Sequence, residues 1–171
     1  MIPEEVFVGE SVGYLRDTYV PRLERALGVL PAGDLFWRPH AGALSFGTIL
    51  LHLEGNVRQW ILSGLGGRPD DRDRASEFAA TEGPPGEELL ARLAATVSEA
   101  CTVIGSLNGS ALGSSYAIQD RDVSGLEAVY HVVEHFSWHV GQAVWIAKAR
   151  AGAEHGVAFY DDAKVNQARN G

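Results

Sequence analysis

The chain has 171 residues, 46% of them hydrophobic and 21% charged, and a formal net charge of −8. That size and balance suit one soluble domain with a buried core. The arginines are scattered among acids, as in Asp70-Asp71-Arg72-Asp73-Arg74, which excludes the positive surface that nucleic acid requires.

Four segments carry helical periodicity. The first is predicted from about Pro3 to Leu30, where Val8, Val12, Leu15, Tyr19, Leu23, Ala26 and Leu30 recur at three- or four-residue spacing. Pro21 lies in its interior and removes a hydrogen bond, so a kink or break is expected there. The second helix is predicted from Ser45, a good cap, to about Ser63, ended by Gly64 and the Gly66-Gly67 pair. Ser45, Thr48, His52, Asn56, Gln59 and Ser63 form a polar stripe along it, beside an apolar seam of Leu50, Leu53, Val57, Trp60 and Ile61.

Residues 64–84 read as a long, charged, Gly/Pro-rich link that permits a crossover between neighbouring helices. The third helix is predicted from Pro84-Pro85 to about Leu107, with Glu87 and Glu88 near its positive end. Cys101 lies on its apolar face and reads as a core residue. Residues 108–123 form a polar connection with a short extended piece around Tyr116-Ala117-Ile118. The fourth helix opens on Ser124-Gly125-Leu126-Glu127, a capping box, and runs to about Ala151. The tail from Gly152 is expected to be partly mobile. Together these segments predict an all-α fold, a four-helix bundle forming a single domain over residues 1–171 with its core at about 5–150.

No apolar run reaches membrane-spanning length, and Met1-Ile2-Pro3-Glu4-Glu5 is unlike a signal peptide. A single cysteine excludes an intramolecular disulfide and fits a reducing cytoplasm.

The chemistry is concentrated in the fourth helix. His135 and His139 stand four residues apart, one turn along one face, among Ala128, Val132, Ala143 and Ile146. Two imidazoles so placed can serve one metal ion, and His52 of the second helix could complete a three-histidine site. His131 continues the row but lies too far along the helix to join a compact site, so it is expected to be structural. The alternative is that all three histidines are polar core residues with hydrogen-bond partners. Asn56, Gln59 and Gln142 are candidates for supporting the ligands or binding substrate. His40 and His155 read as loop histidines.

Trp37-Arg38-Pro39, Ile49-Leu50-Leu51-His52-Leu53 and His135-x3-His139-Val140-Gly141-Gln142, in that order, resemble the DinB-like superfamily of metal-dependent four-helix bundles. A closer resemblance is to a subgroup known only as a domain of unknown function, which shares Gly55-Asn56-Val57-Arg58-Gln59-Trp60-Ile61, Gly66-Gly67, the Asp-Arg pairs and Glu77-Phe78. The resemblance implies an up-down-down-up course with a long crossover between helices two and three. It also implies a divalent-metal triad of His52, His135 and His139. Val140 stands where many members have Arg.

Three neutral histidines suit zinc foremost, with nickel or iron as alternatives, and leave an open coordination position. The expected function is a metal-dependent enzyme acting on a small molecule, either an S-transferase using a low-molecular-weight thiol or a hydrolase. No catalytic residue beyond the ligands is assigned. Glu54 and Glu134 lie off the histidine faces, which favours thiol activation, although Asp120 or Asp122 could reach the site from a loop. The alternative is a non-catalytic metal-binding or dimeric interaction bundle. Trp138 and Trp145 mark the candidate homodimer interface, or else pack in the core.

Overall fold

A computed structural model describes residues 2–158. Four long helices surround one contiguous apolar core. Helix α1 comprises Pro3–Val12, a π-helical stretch Gly13–Tyr19 and Val20–Val29. A short 3-10 turn, Ala32–Asp34, follows. Helix α2 comprises Phe46–Val57 and a second π-helical stretch, Arg58–Leu65. Short helix α3 (Arg74–Ala79) lies in the long link, α4 is Gly86–Gly105, and α5 is Gly109–Gly113. A two-stranded antiparallel hairpin, β1 (Ser115–Ile118) and β2 (Arg121–Ser124), precedes α6 (Gly125–Ala151). The mobility expected of the tail falls mainly on residues 159–171, which lie outside the described residues.

The caps act where the sequence places them. Ser45 accepts the Thr48 backbone N–H at 3.1 Å, and Ser124 with Glu127 forms the capping box of α6. Near Pro21 the helix changes type instead of ending. The π-helical stretch ends at Tyr19, Val20 bonds back to the Leu15 carbonyl, and Pro21 falls in the first turn of the next α-helical segment. A missing N–H is tolerated in such a position, so the wide turn absorbs the proline.

The link and the polar connection hold more structure than their composition suggests. The extended piece at 116–118 is β1, and its partner β2 was not expected. Gln119, in the turn between them, takes the left-handed conformation with φ 56, where glycine would be the easier residue. Neither α3 nor α5 was expected; each is a short helix capped by the side chain of Asp73 or Asn108.

Contacts along the helices fix their relative directions. Pro3 and Glu4 lie beside Ser124 and Leu126, Tyr19 stacks on Phe136 at 5.8 Å, and Asp34 pairs with Arg150. Helices α1 and α6 are therefore parallel neighbours. Val12 meets Cys101 while Leu27 lies against Gly86, so α4 runs against α1. His52 meets His135 while Asn56 meets His131, so α2 runs against α6. Helices α2 and α4 then run the same way, which a crossover such as residues 66–85 makes possible. The apolar faces behave as their spacing predicts: Leu15, Leu23, Leu53, Ile61, Leu93 and Ile104 are fully buried. Cys101 is a buried free thiol whose pKa burial pushes up. No helix among the described residues is long and apolar enough to cross a membrane.

One tight junction sets the start of α6. A Cβ on Gly125 would stand 2.5 Å from the Ala111 backbone carbonyl, whereas one on exposed Gly9 would touch nothing within 4 Å. Gly125→Ala should therefore lower stability by about 1–3 kcal/mol as an overpacked contact. Gly9→Ala should raise it by about 0.5–1 kcal/mol through helix propensity. Urea midpoints measure both, and a stabilised Gly125→Ala would contradict the close approach.

Candidate metal centre

The fold brings His52 of α2 together with His135 and His139 of α6. One nitrogen of each ring lies within 4.8 Å of the others, and the ring centroids are 4.5–4.9 Å apart. His52 is buried at 4% exposure, and the other two are half-buried, so the cluster lies at the edge of the core with a side toward solvent.

Hydrogen bonds orient two of the rings. His52 Nδ1 is 3.0 Å from Glu77 Oε2. Arg72 Nη2, which only donates, also approaches Nδ1 at 3.1 Å, but it is committed to Glu77 Oε2 at 2.9 Å. The carboxylate, which only accepts, therefore favours the proton on Nδ1 and the lone pair on Nε2. His139 Nδ1 donates to Gln142 Oε1 at 2.8 Å, with the same consequence for its own Nε2. His135 Nε2 faces His52 Nε2 at 3.1 Å, and His135 Nδ1 is buried without a partner.

This donor set fits a divalent cation. Two nitrogens on one tetrahedral zinc stand about 3.3 Å apart, given bonds of roughly 2.0–2.1 Å. The His52–His135 spacing is close to that, and the third nitrogen lies within reach. Two of the rings, His135 and His139, are also kept neutral, as ligands must be. Burial, then the neighbouring imidazoles and Arg72, push His135 down to about 3. Burial and His52 push His139 down to about 4, against the opposing hydrogen bond to Gln142.

Glu77 and Arg72 are site residues whose roles were not visible in the sequence. Glu77 is 8% exposed and comes from α3 in the link, not from a long helix. Arg72 grips its carboxylate with Nε–Oε1 at 2.8 Å and Nη2–Oε2 at 2.9 Å. Burial opposes ionisation of Glu77, but the hydrogen bonds and charges of Arg72 and His52 outweigh it and hold the carboxyl below its usual range. Gly55 makes room for this group, because a Cβ there would collide with Glu77 Oε1. Arg38 clamps the segment from the other end, donating to the carbonyls of Phe78 and Ala80 and to Thr48 Oγ1 at 2.7–3.1 Å. Phe78 packs on the His52 ring at 4.7 Å.

The remaining candidates divide. Gln142 supports His139. Gln59 turns to the link, where it accepts from Arg72 Nη1 and Gln119 Nε2 and donates to Asp70. It lies at the start of the π-helical stretch and meets the triad's surroundings through Arg72, which also grips Glu77. Asn56 meets His131 at 3.4 Å. His131 stacks on Trp60 at 3.9 Å, outside the triad. Glu54 pairs with Arg92, and Glu134, Asp120 and Asp122 are exposed. Trp138 and Trp145 are 64% and 59% exposed, which overturns the core-packing alternative for them.

The chain matches the model of the family described as "Protein of unknown function (DUF1572)" over residues 10–157. No curated protein matches it. Its fold is similar to the crystal structure of a DinB-like protein (YjoA) from Bacillus subtilis, with a TM-score of 0.62 and 13% identity, covering 86% of this chain and 94% of that one. At that identity the likeness speaks for the fold alone, and it agrees with the bundle described above. Because the family match spans most of the chain, the protein belongs to the DUF1572 family.

Proposed function

We propose that this protein is a metal-dependent enzyme that holds a divalent ion on His52, His135 and His139 and transfers a low-molecular-weight thiol to a small-molecule substrate. The observation that carries this reading is the convergence of three imidazoles at the edge of the core. A divalent ion on three neutral histidines, zinc foremost, would keep its full charge and an open position, where it would lower the pKa of a thiol or a water.

The surrounding residues favour the thiol. Hydrolysis wants a base able to take a proton from water. Glu77 is a poor one: both oxygens are engaged, its pKa is lowered, and it meets His52 at Nδ1, on the ring edge away from Nε2. Among the described residues no carboxylate joins the histidine cluster. A thiol is more acidic than water and needs less help to ionise. Hydrolysis is the second reading, favoured only by the approach of a loop acid such as Asp120 or Asp122.

Glu77 and Gln142 then act as positioning residues. Each fixes the tautomer of one ligand, and such groups typically contribute about 10- to 100-fold to metal affinity.

Three outcomes are expected. Metal analysis of protein purified without a histidine tag should find about one ion per chain, lost in His52→Ala, His135→Ala and His139→Ala; a variant that keeps it removes that residue from the ligand set. Cobalt-loaded protein mixed with 2-mercaptoethanol should develop a thiolate-to-cobalt charge-transfer band, and stoichiometric cobalt without that band would turn the reading to hydrolysis. Glu77→Gln should weaken zinc binding by about 10- to 100-fold, and unchanged affinity would remove Glu77 from the site.

Metal-free protein should also lose stability in acid. His135 and His139 titrate lower in the folded state than the ordinary 6.5, so unfolding takes up protons below that pH. The contribution of the two rings is present above about pH 6.5 and is lost as pH falls toward 4. Urea midpoints at pH 7.5 and 5 test this: the drop should be smaller in His135→Asn/His139→Asn, and an equal drop would refute it.

A further inference from the structure

A groove of about 590 Å³ runs along α6 beside the histidine cluster. Its size is that of a small-molecule site. Three features connect it to the cluster and describe what it would hold.

The first is continuity. Gln142 lines the groove and is also the residue that accepts the His139 Nδ1 proton. Ile49, another lining residue, stands on α2 one turn before His52. A molecule in the groove therefore ends beside His139.

The second is shape. Trp138 and Trp145 both line the groove and are more than half exposed. Seven helical residues separate them, about 10 Å along the axis. Gly141 lies between them, and a Cβ there would meet nothing within 4 Å. The result is a bare strip of helix flanked by two indoles, a slot for a flat ring.

The third is charge. No Lys, Arg, Asp or Glu lines the groove among the described residues, and its one titratable group is His40 at the rim. An ionic ligand would lose hydration there without gaining a partner. The Gln142 amide group, its oxygen occupied by His139, keeps its N–H donors for an acceptor on the ligand.

We infer that the groove between Trp138 and Trp145 binds the neutral, planar, apolar body of the substrate and presents its reactive end to the histidine cluster. This rests on the reading of that cluster as a metal centre, and it extends the reading to the class of substrate: an aromatic or similarly flat molecule carrying a hydrogen-bond acceptor.

The test uses N-phenyl-1-naphthylamine, a neutral aromatic fluorophore, with the full chain in metal-free and zinc-loaded forms. The wild type should bind it in both forms with enhanced emission. Gly141→Leu fills the slot from a position where the added Cβ meets nothing within 4 Å, and Trp138→Ala/Trp145→Ala removes its walls. Each should weaken probe binding at least tenfold while circular dichroism and zinc stoichiometry stay as in the wild type. Undiminished binding in both variants overturns the assignment. So does a wild type that fails to bind the probe. If that wild type also sediments as a dimer dissociated by Trp138→Ala/Trp145→Ala, the strip is a subunit interface. Zinc stoichiometry is read separately, so a protein that binds the probe but no metal refutes the metal centre and leaves the groove as a binding site.

Discussion

A buried carboxylate cannot stand alone, and Glu77 is where this protein meets that constraint. Its side chain is 9% exposed, that of Arg72 3% and that of His52 5%. Each charge or dipole would be costly without the others, because removing one partner leaves an unanswered polar group in the interior. The planar fork of Arg72 takes both oxygens, and the imidazole takes what remains of one. From this follow the return of the link to the face of α2, the tautomer of His52, and the need for a residue without a side chain at position 55. The histidine at the centre of the proposed chemistry is held by a segment outside the four long helices.

The sequence made the long helices legible because their determinants are local. Ser45 and the Ser124–Glu127 pair announce helix starts within a few residues of themselves, and the apolar spacing of α1, α4 and α6 survives into the core. The triad was legible for a similar reason: His135 and His139 lie one turn apart, and His52 sits in a polar stripe beside an apolar seam. Arg72 and Glu77 were not, since a run such as Asp70-Asp71-Arg72-Asp73-Arg74 looks like a solvated loop until its partner is known. That partner lies on another element, and the pairing depends on the shape left by Gly55. Gln59 shares the polar stripe of His52, and it meets that histidine's surroundings through Arg72, a partner the stripe alone does not name.

The two halves of the site are built on unequal footings. The His52 side is enclosed by Phe78, Arg72 and Glu77, and Arg38 fastens the segment that carries Phe78 and Glu77 to the start of α2. The α6 side is half-buried and opens onto a strip bordered by two exposed indoles. On the proposed reading, enclosed ligands on one side and an accessible apolar surface on the other would separate the task of holding an ion from that of admitting a substrate. Variation along Trp138, Gly141 and Trp145 would thus change what the protein accepts while leaving the network around His52 untouched.

The order of the helices along the chain bears on how the bundle is made. Helix α1 packs beside α6 and α4, whereas α2, which follows it in sequence, lies across the bundle. During synthesis the apolar face of α1 must wait for residues 86–105 and then for 125–151 before it is covered. Local helix formation is fast, but closing such long loops is slow, and high contact order delays the final collapse. A nascent chain of this topology exposes a sticky amphipathic helix for most of its translation. Its yield in a cell should respond more to chaperone supply and elongation speed than that of a bundle whose consecutive helices are neighbours.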